Sequence, residues 1–334
     1  MRILITGGAG YIGSHATRCF LEHGDEVTVL DNLSRGHAEA APANVLVRGD
    51  IAQENVLAEL FRTRRIEAVI HFAAFPYVGE SVADPELYYR NNVCGTLELL
   101  STMRRCGVMR LVFSSTCATY GIPQRVPITE EEPQRPINPY GRTKLAIEWA
   151  LADYASAYGF AFAALRYFNA AGAHPAGDIG EDHDPETHLI PLALQTALGN
   201  RSRVEIFGTD YPTPDGTCVR DYVHVDDLAE AHRLALAHLQ PGQGLHLNLG
   251  TGRGYSVREV IRACEEVTGK KIAAHEGQRR PGDPAVLVAA ARLAEAKLGW
   301  RPRYRALPEI VETAWRWHRT HPHGYRGSPG CPNP

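Results

Sequence analysis

The chain has 334 residues, 44% hydrophobic and 22% charged, with 35 Lys and Arg set against 38 Asp and Glu. A net charge of −3 gives no electrostatic footprint for nucleic acid or a membrane surface. No apolar run approaches the roughly 18 residues that span a bilayer. Length and composition suit about two globular domains, each with its own core. The seven Cys are scattered without C-x-x-C spacing, as expected of free thiols in a reducing cytoplasm.

The first short apolar run, Ile3-Leu-Ile5, passes directly into Thr6-Gly-Gly-Ala-Gly-Tyr-Ile-Gly13, a start unlike a signal peptide. Gly7, Gly10 and Gly13 would allow a tight turn, close backbone approach to a pyrophosphate, and a helix N-terminus beneath it. Val27-Thr-Val-Leu30 is the next strand, and Asp31 ends it about 20 residues past the glycine turn, as dinucleotide folds require. A carboxylate there accepts hydrogen bonds from ribose hydroxyls and repels a 2′-phosphate, which favours NAD over NADP. Arg35 reads as a loop residue. Further strand-like runs follow at Val45–Val47, Ala68–Phe72, Leu111–Phe113 and Ala163–Tyr167. Helical periodicity lies between them, most clearly over Leu87–Arg105 and Tyr140–Tyr158. This alternation predicts an α/β fold with a doubly wound, Rossmann-like parallel sheet.

Thr116 closes the Phe113-Ser-Ser-Thr116 run, where strand C-termini place ligands. Tyr140 and Lys144, four residues apart, share a helix face, so the ammonium can favour the phenolate and lower its pKa. Tyr140 is then a candidate general base. The second half reads as a smaller mixed α/β unit, with helices near 189–199, 225–239, 256–268 and 306–318 and strands near 204–207 and 245–249. The expected division is a dinucleotide-binding domain at 1–172, a substrate domain at 173–325 and a flexible tail at 326–334, with the Gly/Pro-rich end frayed from Gly324 and room for the chain to cross between domains. His183 and His188, set among Asp and Glu, read as a solvated acidic loop, and no metal is expected.

The glycine turn, the Ser-Ser-Thr run and Tyr-x-x-x-Lys, in this order, resemble the extended short-chain dehydrogenase/reductase family. Tyr11-Ile-Gly-Ser-His15, Asn91-Asn-Val-Cys-Gly-Thr96, Arg166-Tyr-Phe-Asn-Ala-Ala-Gly172, Val219-Arg-Asp-Tyr-Val-His-Val225 and Arg280-Pro-Gly-Asp283 narrow the likeness to the UDP-glucose 4-epimerases. The resemblance implies interconversion of UDP-galactose and UDP-glucose on tightly held NAD, through a 4-keto sugar, by a homodimer. It implies that Tyr140 takes the 4-hydroxyl proton, Thr116 orients that oxygen, and Lys144 holds the nicotinamide ribose. Gly7, Gly10, Tyr11, Ile12 and Gly13 would cradle the cofactor, with Asp31, Asn32, Asp50 and Ile51 about its adenosine. Phe72, Ala73, Ala74 and Asn91 would line it further along, with Ser114 and Tyr167 near Tyr140 and Lys144. Arg220 and Arg280 would bind the UDP pyrophosphate, as a planar guanidinium suits. Asp283 matches a uridine-ribose carboxylate, Phe207 a uracil-pocket residue, and Asn169, His188 and Leu189 positions along the sugar nucleotide.

Leu287 aligns with the wall beside the sugar 2-substituent, where a residue smaller than Tyr would admit N-acetyl groups. It reads equally as a buried strand residue. Three other functions compete. A sugar-nucleotide 4,6-dehydratase would carry Asp-Glu after Thr116, whereas this chain has Cys117-Ala118. A UDP-pentose 4-epimerase differs only in its sugar. A non-catalytic NAD sensor would usually lose the Tyr or Lys.

Overall fold

A computed structural model describes residues 1–280 and 283–326. The apolar runs become strands, and the amphipathic stretches between them become helices. In chain order these are β1 (Arg2–Thr6), α1 (Tyr11–Glu22), β2 (Glu26–Asp31), β3 (Leu46–Arg48), α2 (Glu54–Thr63), β4 (Ala68–His71), α3 (Val78–Ala83), α4 (Pro85–Tyr88), α5 (Gly95–Arg105) and β5 (Arg110–Thr116). There follow α6 (Pro139–Tyr158), β6 (Ala161–Tyr167), β7 (Asn169–Ala171), α7 (Leu189–Leu198), β8 (Val204–Phe207), β9 (Val219–His224), α8 (Val225–His238) and β10 (Gly244–Leu249). The chain continues through β11 (Gly254–Ser256), α9 (Val257–Thr268), β12 (Ala274–Gly277), β13 (Val286–Leu287), α10 (Arg292–Leu298) and α11 (Leu307–Thr320).

Seven parallel strands form the large sheet, in the order β10-β6-β5-β4-β1-β2-β3. Strand alternation sends Ile3, Ile5, Ile70 and Val112 to the face covered by α1, α8 and α10, while Leu4, Val69, Leu111 and Phe113 face α2, α5 and α6. Both faces are buried, which explains why these strands read as unbroken apolar runs. The connection reverses between β1 and β4, opening the crevice at strand C-termini where this architecture binds ligands.

The seventh strand comes from the second half of the chain. Gly244–Leu249 pairs in parallel with β6, and α8 packs beside α1, so the chain returns to the first sheet after leaving it at β7. The remaining elements form a second unit. There β7 and β13 run parallel to β9 and β11 antiparallel to it, β8 pairs with β12, and α7, α9 and α11 share one core.

The fifth strand ends at Thr116, as expected. Two local expectations change. The helical stretch from Leu87 to Arg105 is interrupted by a wider π-type turn at Tyr89–Cys94, which carries Asn91 and Asn92. Such bulges re-aim side chains at functional sites. Lastly, the tail is not frayed from Gly324. The Tyr325 N–H donates to Asp182 Oδ2 at 2.8 Å, and its ring stacks on His37 with centroids 5.1 Å apart. Residues 327–334 of the expected tail, with Cys331, lie outside the described residues. Among the described residues, no helix is long and apolar enough to cross a membrane.

Candidate active site

The glycine turn is built as its sequence demands. Gly7 has φ +73°, and a Cβ there would lie 2.5 Å from the Ala73 nitrogen. A Cβ on Gly13 would lie 2.1 Å from the Gly7 oxygen, so both positions exclude a side chain for packing reasons. Gly10 differs: its Cβ would meet only the Gly7 oxygen, at 3.4 Å, so its outer side stays open to a close ligand. Tyr11, Ile12 and Gly13 begin α1 immediately after it. Phe72, Ala73 and Ala74 follow β4 on the far side of the turn, where Phe72 and Ala73 donate to the Thr6 carbonyl. Asp31 ends β2 and accepts from the backbone of Ala9 at 3.0 Å and Leu33 at 2.8 Å. Burial pushes its carboxyl upward, against those two bonds. Its oxygens retain capacity for two further donors, as a ribose diol would supply. Asn32 donates to Asp50 Oδ2 at 2.7 Å, and Ile51 is buried behind them.

These residues fit NAD. Arg35, the guanidinium considered for a 2′-phosphate, is engaged by other groups. It pairs with Glu80 and lies over the rings of Phe75 and Tyr77, at 5.2 and 5.3 Å.

The second cluster stands on α6 and the end of β5. Helix α6 starts with Asn138 accepting from Gly141 N at 2.8 Å, with Pro139 in its first turn, and stops at Gly159 with φ +77°. This fixes Tyr140 in the first turn, facing Thr116 at the strand end. Burial pushes the Tyr140 phenol well above its ordinary pKa, Tyr167 adds to that, and a hydrogen bond with Thr116 opposes it. The expected lowering by Lys144 is therefore absent in this geometry. Lys144 instead donates to the Ser114 carbonyl at 2.8 Å, with its ammonium 4.8 Å from the Phe113 ring centre and 5.9 Å from that of Tyr140. Burial lowers its pKa to about 7, while Glu148 pulls it back up. Ser114 and Tyr167 hydrogen-bond each other beside it. Asn91 sits on the π-type turn and donates to Asn92, whose Oδ1 accepts from Phe75 N at 2.8 Å.

Glu148 escaped the sequence reading. It is buried, and Arg166 contacts it through Nε at 3.0 Å and Nη2 at 2.6 Å. The available signal was spacing: Tyr140, Lys144 and Glu148 recur every four residues along one helix face. Asp221 was also missed. It is buried and accepts from Thr251, Gly252 and Ala289, tying the β9 strand to the loop beyond β10.

The second unit carries most of the remaining candidates. Arg220 pairs with Asp283 and donates to the Pro284 carbonyl at 2.8 Å. Arg280 lies over the Phe207 ring, 3.9 Å from its centre. Leu287 pairs in register with Arg220 and packs half-buried against the cluster containing Cys117, Tyr120 and Phe168. The strand reading of Leu287 holds, with the residue half-buried beside Cys117. Asn169 opens β7, next to β9. Leu189 begins α7, and His188 precedes it with its Nδ1 turned towards Glu181 and Glu186, 2.9 Å from each. The loop from Glu181 to His188 is not a solvated acidic loop, because both glutamate side chains are buried. Burial opposes charge on His183 and His188, yet the two carboxylates raise both, His183 to about 9.

Comparison with known proteins agrees with this geometry. A UDP-glucose 4-epimerase of Halalkalibacterium halodurans is 56% identical over 97% of this chain and 98% of its own. The crystal structure of a UDP-glucose 4-epimerase from Brucella ovis in complex with NAD superposes with a TM-score of 0.90 at 51% identity, covering 94% and 97% of the two chains. One from Bifidobacterium longum, in complex with NAD+ and UDP, gives 0.93 at 38% identity over 97% and 100%. Residues 3–250, from the first strand of the glycine turn to the last strand of the large sheet, match one family throughout, and the chain belongs to it: the NAD dependent epimerase/dehydratase family.

Proposed function

We infer that this protein is a UDP-glucose 4-epimerase, interconverting UDP-galactose and UDP-glucose at C4 with NAD as cofactor. The observation that carries this reading is the convergence of Thr116, Tyr140 and Lys144 at the mouth of a dinucleotide crevice, in a chain over half identical to such an enzyme. When bound, NAD supplies a hydride acceptor that later returns what it took, so no net oxidation results. The chain's own residues do the rest. Tyr140 exchanges the proton of the sugar 4-oxygen, and the Thr116 hydroxyl holds that oxygen in place. Lys144, drawn towards neutrality by burial and back by Glu148, supplies positive charge beside the phenol. Arg220 and Arg280 take the pyrophosphate, Asp283 the uridine ribose, and Phe207 the uracil. The glycine turn with Asp31, Asn32 and Asp50 holds the adenosine end of NAD. The division of labour follows the two units: the large sheet carries the cofactor, and the β9 sheet with its helices carries the sugar nucleotide.

The test is to incubate purified protein with UDP-galactose, resolve the products by chromatography, and identify the nucleotide released on denaturation. UDP-glucose and NAD are expected. A 4,6-dehydrated product, no turnover, or release mainly of NADP would each overturn the reading, the last because Arg35 would then govern the pocket. The protein is further proposed to act in the cytoplasm, where its six described free thiols persist. We also propose a homodimer. Helices α5 and α6 expose Leu97, Trp149 and Tyr158, Trp149 at 63%, which suits pairing of these faces; sedimentation measures it directly.

Sugar breadth is proposed to depend on Leu287. The side chain packs beside Cys117 and Phe168 but lacks the ring and hydroxyl of Tyr, so it leaves room for a 2-acetamido group. The wild type should interconvert UDP-N-acetylglucosamine and UDP-N-acetylgalactosamine as well as the plain hexoses. Leu287→Tyr should lose the N-acetylated pair selectively, because overpacking costs on the order of 1–3 kcal/mol, or about 10–100-fold in rate. Equal loss of both substrate classes, or a wild type inactive on the N-acetylated pair, removes Leu287 as the gate.

A further inference from the structure

The geometry points to a structural divalent-metal site, best suited to zinc, formed by Glu181, His183, Glu186 and His188 on the loop that leads into α7. Each residue offers one ligand atom, and the four atoms lie within 4.8 Å of one another. His183 Nδ1 is 3.2 Å from Glu181 Oε1 and 3.6 Å from Glu186 Oε2. His188 Nδ1 is 2.9 Å from both Glu181 Oε1 and Glu186 Oε1. A tetrahedral zinc with bonds of about 2.0–2.1 Å needs ligand atoms about 3.3 Å apart. These imidazole–carboxylate separations lie around that value, with either Glu186 oxygen within reach, and side-chain rotation would bring one atom from each residue into the shell.

An independent observation is the His183 ring. Its Nδ1 is buried and makes no hydrogen bond of acceptable geometry, although two carboxylates stand close by. The His183 nitrogen thus has an unused valence beside two carboxylates, whereas His188 Nδ1 already hydrogen-bonds Glu186 Oε1 at 2.9 Å. Two imidazoles with two carboxylates form a donor set that zinc and its first-row neighbours accept. Charge also balances, since one divalent cation offsets the two carboxylates.

The surroundings support the ligands. Glu186 Oε1 accepts from the backbone of Thr187 at 2.6 Å and His188 at 2.7 Å. The rings of Tyr11 and Tyr77 meet His183 edge-on, each with centroids 6.0 Å away. A cavity of about 240 Å³, lined in part by His37, Asp182 and His318, opens onto Glu181 and His183 and gives an ion its path in. The metal's role is to pin the loop that begins α7 against Tyr11 of the glycine turn, joining the second unit to the cofactor site. With Nδ1 on the metal, His188 keeps Nε2–H as a donor.

The test uses untagged, full-length protein with its NAD bound, stripped with chelator and then given Zn²⁺ or Co²⁺. One equivalent of Zn²⁺ should remain after desalting, and the melting temperature should rise with metal concentration. Co²⁺ should give the strong visible absorption of a tetrahedral site. His183→Ala and Glu181→Gln should each weaken binding at least about 100-fold, the upper range for loss of even an outer-shell partner. Cys19, His23 and Glu230 form the other described cluster of metal-ligating side chains, so Cys19→Ser should bind as the wild type does. A chelated wild type that takes up neither ion leaves only paired imidazoliums there and overturns the proposal without recourse to variants. Metal binding that survives in His183→Ala but vanishes in Cys19→Ser overturns it too.

Discussion

Tyr140→Phe should lower turnover of UDP-galactose by at least about 10²-fold, the usual loss when a general base is removed, while bound NAD stays at wild-type content. In barrier height this is about 2.7 kcal/mol. The ring is kept, so packing against Tyr88, with ring centres 6.5 Å apart, should survive, and the loss should fall on the proton-transfer step. The structure sharpens what that step requires. Burial holds the phenol protonated well beyond neutral pH, and Thr116 offers it one opposing hydrogen bond. The phenol can therefore act as a base only when positive charge is brought close to it. Lys144 is the cation at hand, 5.9 Å from the ring centre, but its ammonium is bound to the Ser114 carbonyl and its pKa is pulled down to about 7. Lys144→Ala should accordingly lower both turnover and retention of NAD. Near-normal turnover in Tyr140→Phe, measured with the bound nucleotide quantified after denaturation, would place the base elsewhere.

The large sheet was readable because its strands are buried on both faces, which leaves unbroken apolar runs such as Ala68–His71. The cofactor turn was readable for a related reason: Gly7 and Gly13 have no space for a side chain, so the backbone geometry is written into residue identity. What the sequence concealed depends on contacts between distant segments. Gly244–Leu249 reads as one more strand of the second half, yet it completes the first sheet by pairing with Ala161–Tyr167. The π-type turn at Tyr89–Cys94 has helical periodicity on both sides, and its widening is stabilised by Asn92 reaching Phe75 in another loop. Glu181 and Glu186 look like solvated acids within Gly-Glu-Asp-His-Asp-Pro-Glu, because the Tyr11 and Tyr77 rings that pack on His183 between them lie far away in sequence. Tyr140 and Lys144 were legible as a pair, but the direction of the Tyr140 pKa was not. Spacing reveals which charges are neighbours; burial, which here outweighs them, is a property of the fold.

Glu148 shows the same limit at the largest expected cost in stability. Glu148→Gln should destabilise the protein by about 3–5 kcal/mol, since removing one partner strands the other as a buried, uncompensated charge. Arg166 is nearly inaccessible, with side-chain exposure of 5% against 2% for Glu148, and three of its contacts go to that carboxylate. Its remaining hydrogen bond, to the Tyr120 hydroxyl at 2.9 Å, cannot replace a counter-charge. At about 2 °C per kcal/mol for a chain of this size, the melting temperature should fall by about 6–10 °C. Turnover should fall too, because Glu148 is the charge that draws the Lys144 pKa back up. The pH dependence has a definite sign. Burial alone would raise the Glu148 pKa, but Arg166 outweighs it and holds the group below its ordinary value. The pair's contribution is thus full above the unfolded carboxyl pKa of about 4.3 and is lost as pH falls through the lower folded value. A double variant, Glu148→Leu with Arg166→Met, should recover most of the stability, because replacing a buried pair by apolar groups is often neutral or better. It should recover little activity, since Lys144 still lacks its carboxylate. Thermal denaturation of both variants separates the two effects. A melting temperature for Glu148→Gln within about 1 °C of the wild type would mean that water or a rotated side chain compensates Arg166, and that the pair does not hold this face of α6 to the sheet.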